Sequence, residues 1–491
     1  MELFTELRRL TAGLLLVAAW GRPAPAPAAD NPHNRFAVKA IQTPAALLGV
    51  AYSPDGQRVA TCGLGRDIVV WDVESGQPAL TLRGHADDVV AVEYSPNGRY
   101  IASGGVDKAL NLWDALTGEL LRTTTDHTDY VRDVAFSPDS RLLASAGWDG
   151  QTLVFDTFSG ERRATLRAGS PAAGASPAPG YDKAQTTRGR ANNVTSVAFS
   201  PAGTELLTAS GDHALRTWDT ATWQLKTTLQ GHTDEVWDAR YAPNGQYAVS
   251  GAWDNTVRFW SLAEQRCVLT MPAHVSDVWA AAFSPDGQLV ATGGGDRQVK
   301  IWDAALGTLV ADLSGALHTA GVENLAFRPD GQRLASVSRD GSLRLWRVPT
   351  TDERVLAYAD HETETWAKKG DFEKSDDYQK RLVGRYNHLQ AMKAEAQTRI
   401  LAGFGATANW QPFVLGNYNA DTEAFALTGS MWPGIYHVRV PRREAPGFRD
   451  GFAQRGYGVP TFASEAGRVV LKSVPVLVAV GGAPHTFTLA R

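Results

Sequence analysis

The sequence predicts an all-β ring of seven four-stranded blades, followed by a helical linker and a small α+β C-terminal domain. Three observations carry this reading. An aromatic anchor recurs as Trp71, Trp113, Phe155, Trp218, Trp260, Trp302 and Trp346, at spacings of 42, 42, 63, 42, 42 and 44 residues. A proline stands 17 residues before each anchor, at Pro54, Pro96, Pro138, Pro201, Pro243, Pro285 and Pro329. Short β-branched and aromatic runs, such as Val50 to Tyr52, Arg58 to Ala60 and Ile68 to Trp71, lie around these points. A period near 40 marks an architecture in which each unit buries its apolar faces only against its neighbours.

The chain opens with Arg8 and Arg9, an apolar run from Leu10 to Trp20, and the small residues Ala26-Pro27-Ala28-Ala29. This pattern predicts a signal peptide over residues 1–29, cleaved after Ala28 or Ala29. The apolar run is shorter than the roughly 20 residues a membrane helix needs, and no cysteine precedes Cys62 to take a lipid. An exported protein, periplasmic or secreted, with no membrane span in the mature chain is expected. An intracellular tail is the alternative, because Glu2 and Glu6 cancel the positive charge usual at such a start.

The repeat units fill residues 34–349. Segments such as Ser53-Pro54-Asp55-Gly56 place proline second and glycine fourth, which is turn chemistry. The 63-residue gap is one unit plus an insertion, since residues 168–190 are rich in Pro, Ala, Gly and Ser without periodicity. Pro349 follows the last anchor too soon for an outer strand, and the unassigned segment Arg35 to Thr43 precedes the first unit. Pairing these two ends closes the ring and removes an exposed sheet edge. Cys62 and Cys267 fall in distant blades and are expected as free, packed thiols.

The pairs Trp71-Asp72, Trp113-Asp114, Trp218-Asp219 and Trp302-Asp303, with Gly84-His85 and Gly231-His232 upstream, resemble the WD-repeat family of β-propellers over about two thirds of the chain. Counting back 28, 10 and 6 residues from the anchor gives His85/Ser103/Asp107/Trp113, His232/Ser250/Asp254/Trp260, His274/Thr292/Asp296/Trp302 and His318/Ser336/Asp340/Trp346. Ser, His and Asp are also the members of a hydrolase triad. A nucleophile belongs in one cleft, however, whereas this set recurs at fixed offsets and includes an indole N–H that needs a buried partner. The resemblance implies a structural chain from Asp to His to hydroxyl to indole. Blade three keeps His127, Ser145 and Asp149 but has Phe155; blade four has Arg190 at the histidine position; blade one keeps only Thr61 and Trp71. These three blades are expected to be the less rigid ones.

The resemblance also implies that the loops carrying His and Asp share one face, where side chains near the channel contact partners. Five residues past each histidine position stand Leu48, Val90, Arg132, Thr195, Trp237, Trp279 and Glu323. Just before each turn Asp, or its equivalent, stand Leu64, Val106, Trp148, Gly211, Trp253, Gly295 and Arg339. Arg132, Trp148, Trp237, Trp253 and Trp279, with Tyr130 and Arg339, form the candidate partner-binding set, since Trp and Arg dominate binding hot spots. Partly exposed rings would mark a binding face. Packing of Trp237 and Trp279 into the channel wall is the alternative.

Residues 352–402 turn charged and predict an amphipathic helix capped by Ser375, with the stripe Tyr378, Leu382, Tyr386, Leu389 and Ile400. The run Trp366 to Lys374, with Asp377-Tyr378 and Arg381, resembles an accessory module of bacterial repeat and caspase-like proteins. Residues 403–491 return to strands at Phe413 to Leu415, Ala424 to Leu427, Tyr436 to Val440 and Val469 to Val480. His361-Glu362 lacks a second helical histidine, and His388, His437 and His485 have no neighbours at ligand spacing. Asn417, Asn419, Asp421 and Glu423 alternate like calcium ligands, but Thr422 and Thr428 stand where glycine and glutamate are required, so a hairpin is expected. No metal and no cofactor are predicted.

A net charge of −4 gives no field that would gather nucleic acid. The leading reading is a non-catalytic scaffold for a protein or peptide. A cell-envelope glycan binder, stacking sugars on Trp148, Trp237 and Trp253, is the alternative. An enzyme with its site in the C-terminal region is the third reading.

Overall fold

The computed structural model describes residues 36–167, 192–313, 318–367, 387–396, 399, 413–419, 424–429, 436–441, 444–451, 456–457, 461–465, 468–480 and 483–490. The expected signal peptide, the insertion at 168–190 and Arg190 lie outside them. Seven four-stranded antiparallel sheets form the blades. In chain order these begin at Leu47, Val89, Val131, Val194, Val236, Val278 and Val322. Each first strand touches the first strands of both neighbouring blades, and the circle closes between Leu47–Tyr52 and Val322–Phe327.

Closure follows the predicted scheme. The strand Ala37–Gln42 pairs antiparallel with Ser342–Arg347 and supplies the fourth strand of blade seven. Gln42 and Thr43 fasten it further, donating to the carbonyls of Asp340 and Gly341 at 2.7 and 2.8 Å. Inner strands are buried on both faces, while outer strands such as Pro78–Arg83 alternate exposed and covered residues. Apolar clusters fill the spaces between neighbouring blades, with Trp113, Trp260 and Trp346 wholly buried. Gly56, at φ 68° in its turn, takes the left-handed conformation that the Pro-Asp-Gly segment requires. Both cysteines are free.

The tail opens on a helix within the expected helical segment. Helix α1, Thr351–Ala367, follows Thr350, while the expected cap Ser375 lies outside the described residues. Thr350 caps it: the Glu353 amide donates to Thr350 Oγ1 at 3.3 Å, and the Thr350 amide donates back to Glu353 at 2.8 Å. This is the reciprocal capping box that Thr-x-x-Glu encodes. Arg354 carries the helix onto blade six, donating to Asp303 at 2.6 and 3.0 Å with both side chains buried. The stripe residues Tyr378, Leu382, Tyr386 and Ile400 lie outside the described residues, while Leu389 falls in the helical stretch 387–396.

Farther on, strands run along one antiparallel sheet in the order Phe413–Asn419, Ala424–Gly429, Tyr436–Arg439, Ala483–Ala490, Arg468–Val480, Gly456–Tyr457, with Thr461–Glu465 also on Arg468–Val480. The four expected strand segments fall within it. Asn419 pairs with Ala424 in a hairpin. No helix among the described residues is long and apolar enough to cross a membrane.

Candidate functional site

Each full Asp-His-hydroxyl-indole set runs as a single relay. In blade five the Trp260 indole N–H donates to Ser250 Oγ at 2.8 Å, the hydroxyl bonds His232 Nε2 at 2.7 Å, and Nδ1–H donates to Asp254 at 2.8 Å. Blades two and six repeat it through Ser103 and Thr292. In blade seven Ser342 stands between His318 and Asp340, at 2.9 and 2.5 Å. Burial lowers the His232 pKa against the opposing pull of Asp254, so the ring is neutral. Burial of Asp254 works against its ionisation, yet bonds from His232 and Thr256 hold its carboxyl far below the usual carboxylate range. Ser103, Ser250, Thr292 and Ser336 are 0% exposed, so no substrate reaches these hydroxyls. Their oxygens are also occupied by the indole N–H. The relay is a staple from loop to strand to strand.

The departures are compensated unequally. In blade four Arg216 reaches Ser210 at 2.9 Å and Asp212 at 2.5 Å, while Trp218 donates to Thr208 at 3.0 Å. Blade three keeps His127 between Asp149 and Ser145 at 3.0 and 2.8 Å, with nothing from Phe155. Beside Phe155 lies a shallow cleft lined by Leu110, Leu112, Leu143 and Thr157. Blade one has only the Trp71 to Thr61 bond, at 2.8 Å.

On the channel face, one backbone device positions the candidate residues. In every blade the pairing of the first two strands shifts by one residue, and the residue skipped is Leu48, Val90, Arg132, Thr195, Trp237, Trp279 or Glu323. Such a bulge leaves one residue out of the ladder and re-aims its side chain. The amide just before each turn Asp, or its equivalent, closes the same loop, as Trp148 N does on Tyr130 O and Trp253 N on Glu235 O, both at 2.9 Å.

The expectation of exposed rings is corrected here. Trp148, Trp237 and Trp253 are 8, 8 and 6% exposed and pack on one another, with Tyr130 and Trp279 against them. Trp237 and Trp253 stack at 5.1 Å, and Tyr130 tilts against Trp148 at 5.3 Å. Blade four contributes only Thr195 and Gly211, so the rings from blades three and five meet above it. They form a floor across one side of the mouth. Arg132 lies over Trp237 at 4.8 Å and Arg339 over Trp279 at 4.6 Å. Trp279 rests on Gly321, where a Cβ would come within 2.1 Å of the ring. Tyr130, Arg132 and Trp279 are half-buried, Arg339 is exposed and paired with buried Glu323, and the opposite rim is Leu48, Leu64, Val90 and Val106.

Below the mouth the channel holds a charged network that the sequence reading did not single out. Asp133 accepts from the Val197 amide and Ser196 Oγ of blade four, both at 3.0 Å, and Asp238 accepts from the Ala281 amide of blade six at 3.1 Å. Arg240 pairs with both carboxylates at 3.1 Å. Glu93 completes the cluster; burial pushes its carboxyl up to about 8, Arg240 opposing and Asp133 reinforcing the shift. The sequence signal was charge inside an otherwise apolar inner strand, as in Val236–Tyr241. Among the described residues no group of three or more His, Cys, Asp or Glu could hold a metal.

The WD domain, G-beta repeat, matches this chain seven times, at residues 39–72, 76–114, 118–156, 182–219, 223–261, 265–303 and 307–347. The first match opens within Ala37–Gln42, the outer strand of blade seven, and ends on the third strand of blade one, so it already spans the closure of the ring. A search of curated proteins gives no match. With more than half of its residues matched and seven blades in its structure, the chain belongs to the WD-repeat family.

Proposed function

We propose that this protein is an exported, non-catalytic scaffold that holds a peptide or protein partner at the channel mouth. Propellers of the WD-repeat family generally serve as protein-interaction scaffolds. The observation that carries the reading is the bulge repeated in all seven blades, which turns Arg132 and Trp279 toward one mouth while Trp148, Trp237 and Trp253 make its floor. A rigid aromatic floor under reachable Arg and Trp groups suits a hot spot, where little side-chain freedom is lost on binding. For the glycan alternative, the three rings offered for sugar stacking are only 6 to 8% exposed.

The test is affinity purification from the native host with the wild-type chain and a Trp279→Ala/Arg339→Ala double variant, read by mass spectrometry. A partner lost from the double variant but retained by Leu121→Ala, on an outer strand, supports the reading. Equal recovery by all three overturns it. N-terminal sequencing of the recovered chain tests export, with Ala29 or Asp30 expected as the first residue.

A further inference from the structure

Resting on that reading of the mouth, we propose that the partner segment presents a carboxylate beside an apolar side chain, and that Arg132 receives the carboxylate. The argument starts from groups at the mouth that lack a match. The Arg132 guanidinium lies over Trp237 at 4.8 Å, half-buried, and among the described residues it makes no hydrogen bond and has no carboxylate within ion-pair distance. The indole N–H groups of Trp237 and Trp253, more than nine-tenths buried, have no acceptor among the described residues. These are three donor groups on adjoining rings and no acceptor among them. A stacked guanidinium keeps its N–H edge free, and that edge matches a carboxylate in bidentate geometry.

A cationic ligand fits the same place poorly. The ring faces that would attract it already carry the chain's own guanidinium groups, Arg132 on Trp237 and Arg339 on Trp279. A lysine or arginine from a partner would add a positive charge beside Arg132 and Arg339. The acids beneath do not satisfy Arg132 either, since Asp133 and Asp238 are engaged by Arg240 at 3.1 Å. On the side of blades one and two the rim is apolar, with Leu64 44% exposed beside half-buried Leu48, Val90 and Val106. That rim is the place for the apolar neighbour of the carboxylate.

The probe is a random dodecapeptide display library selected on the mature full chain and, in parallel, on Arg132→Gln, with affinities of recovered peptides measured by fluorescence anisotropy. Peptides enriched on the wild type are expected to share an Asp, Glu or terminal carboxylate next to Leu, Ile, Val or Phe. They should bind Arg132→Gln, or their own Glu→Gln analogue, at least tenfold more weakly. Melting curves of Arg132→Gln separate loss of binding from loss of fold, and Arg132→Lys should restore part of the affinity. Enriched peptides that need Trp279 but carry no shared acid, or carry a shared base, overturn the carboxylate assignment and leave the mouth as a binding face. Failure to enrich any peptide sensitive to Trp279→Ala or Arg339→Ala overturns both.

Discussion

Arg240 of blade five and Asp133 of blade three form an ion pair at 3.1 Å that passes across blade four. The guanidinium also donates to the Val197 carbonyl of blade four at 3.0 Å, so a single side chain ties three blades from inside the channel. Removing one partner of a partly buried pair leaves the other charge uncompensated, a cost of about 1 to 3 kcal/mol. Arg240→Met should therefore lower unfolding stability by that order in urea titrations, and should speed hydrogen exchange in blades three to five above that in blade one. A loss below about 1 kcal/mol would show that water replaces the pair.

Glu93 makes stability depend on pH with an unusual sign. Its carboxyl is raised from 4.5 to about 8 in the fold. Between those values the unfolded chain gives up the proton and the folded one keeps it, so this residue's contribution to stability falls as pH rises and levels off above pH 8. Glu93→Gln should become progressively more stable relative to wild type from about pH 4.5 to 8, by at most a few kcal/mol. A difference that does not change with pH would place the titration elsewhere.

Phe155→Trp should raise the melting temperature. The larger ring extends toward the cleft beside blade two, and its N–H is placed to reach Ser145, completing the relay from His127 and Asp149. Cavity filling with a gained hydrogen bond gives about 0.5 to 2 kcal/mol. A destabilised variant would show that the cleft is too shallow for an indole.

Asp303 binds helix α1 to the propeller through Arg354. Arg354→Met in the full chain should cost about 3 to 5 kcal/mol. Ending the chain at residue 350 should cost less, because water then reaches Asp303, whose remaining bonds are to the Ala305 and Leu306 amides. Asp303→Asn should recover part of the loss in Arg354→Met. Calorimetry of the four chains checks the order.

Trp253→Ala should now behave as a core deletion, with a loss of about 3 to 5 kcal/mol, since its ring is stacked and 6% exposed. Trp279→Ala, half-buried at the rim, should melt close to wild type and lose partner binding instead. Equal destabilisation of the two would make the rim part of the core.

Most of the ring was legible because each blade repeats the same local chemistry. Pro54 and its six equivalents fixed the turns, the anchors from Trp71 to Trp346 fixed the period, and Pro349 with Arg35 to Thr43 fixed the closure. The relay offsets placed His232, Ser250 and Asp254 correctly as partners. The burial of Trp148, Trp237 and Trp253 was not legible, because it depends on which blades stand opposite one another and on the room that Thr195 and Gly211 leave. The bulge at Arg132 and Trp279 was equally hidden, since no residue type marks it. Arg216 was overlooked because its partners Ser210 and Asp212 lie on a neighbouring strand and turn rather than at the relay offsets. The start of α1 had a signal, Thr350 with Glu353, masked by the proline beside it.

The strand Ala37–Gln42 meets Ser342–Arg347 about 300 residues later in the chain. At synthesis rates of 5 to 20 residues per second, the strand made first waits roughly 15 to 60 s for the partner that covers it. During that time six blades can each fold from neighbouring segments, but the seventh has only its outer strand and the ring has no seal. Closure is thus a long-range docking between the two ends of the propeller. A chaperone that shields residues 37–42 during this interval would raise the yield of folded protein without altering its final stability.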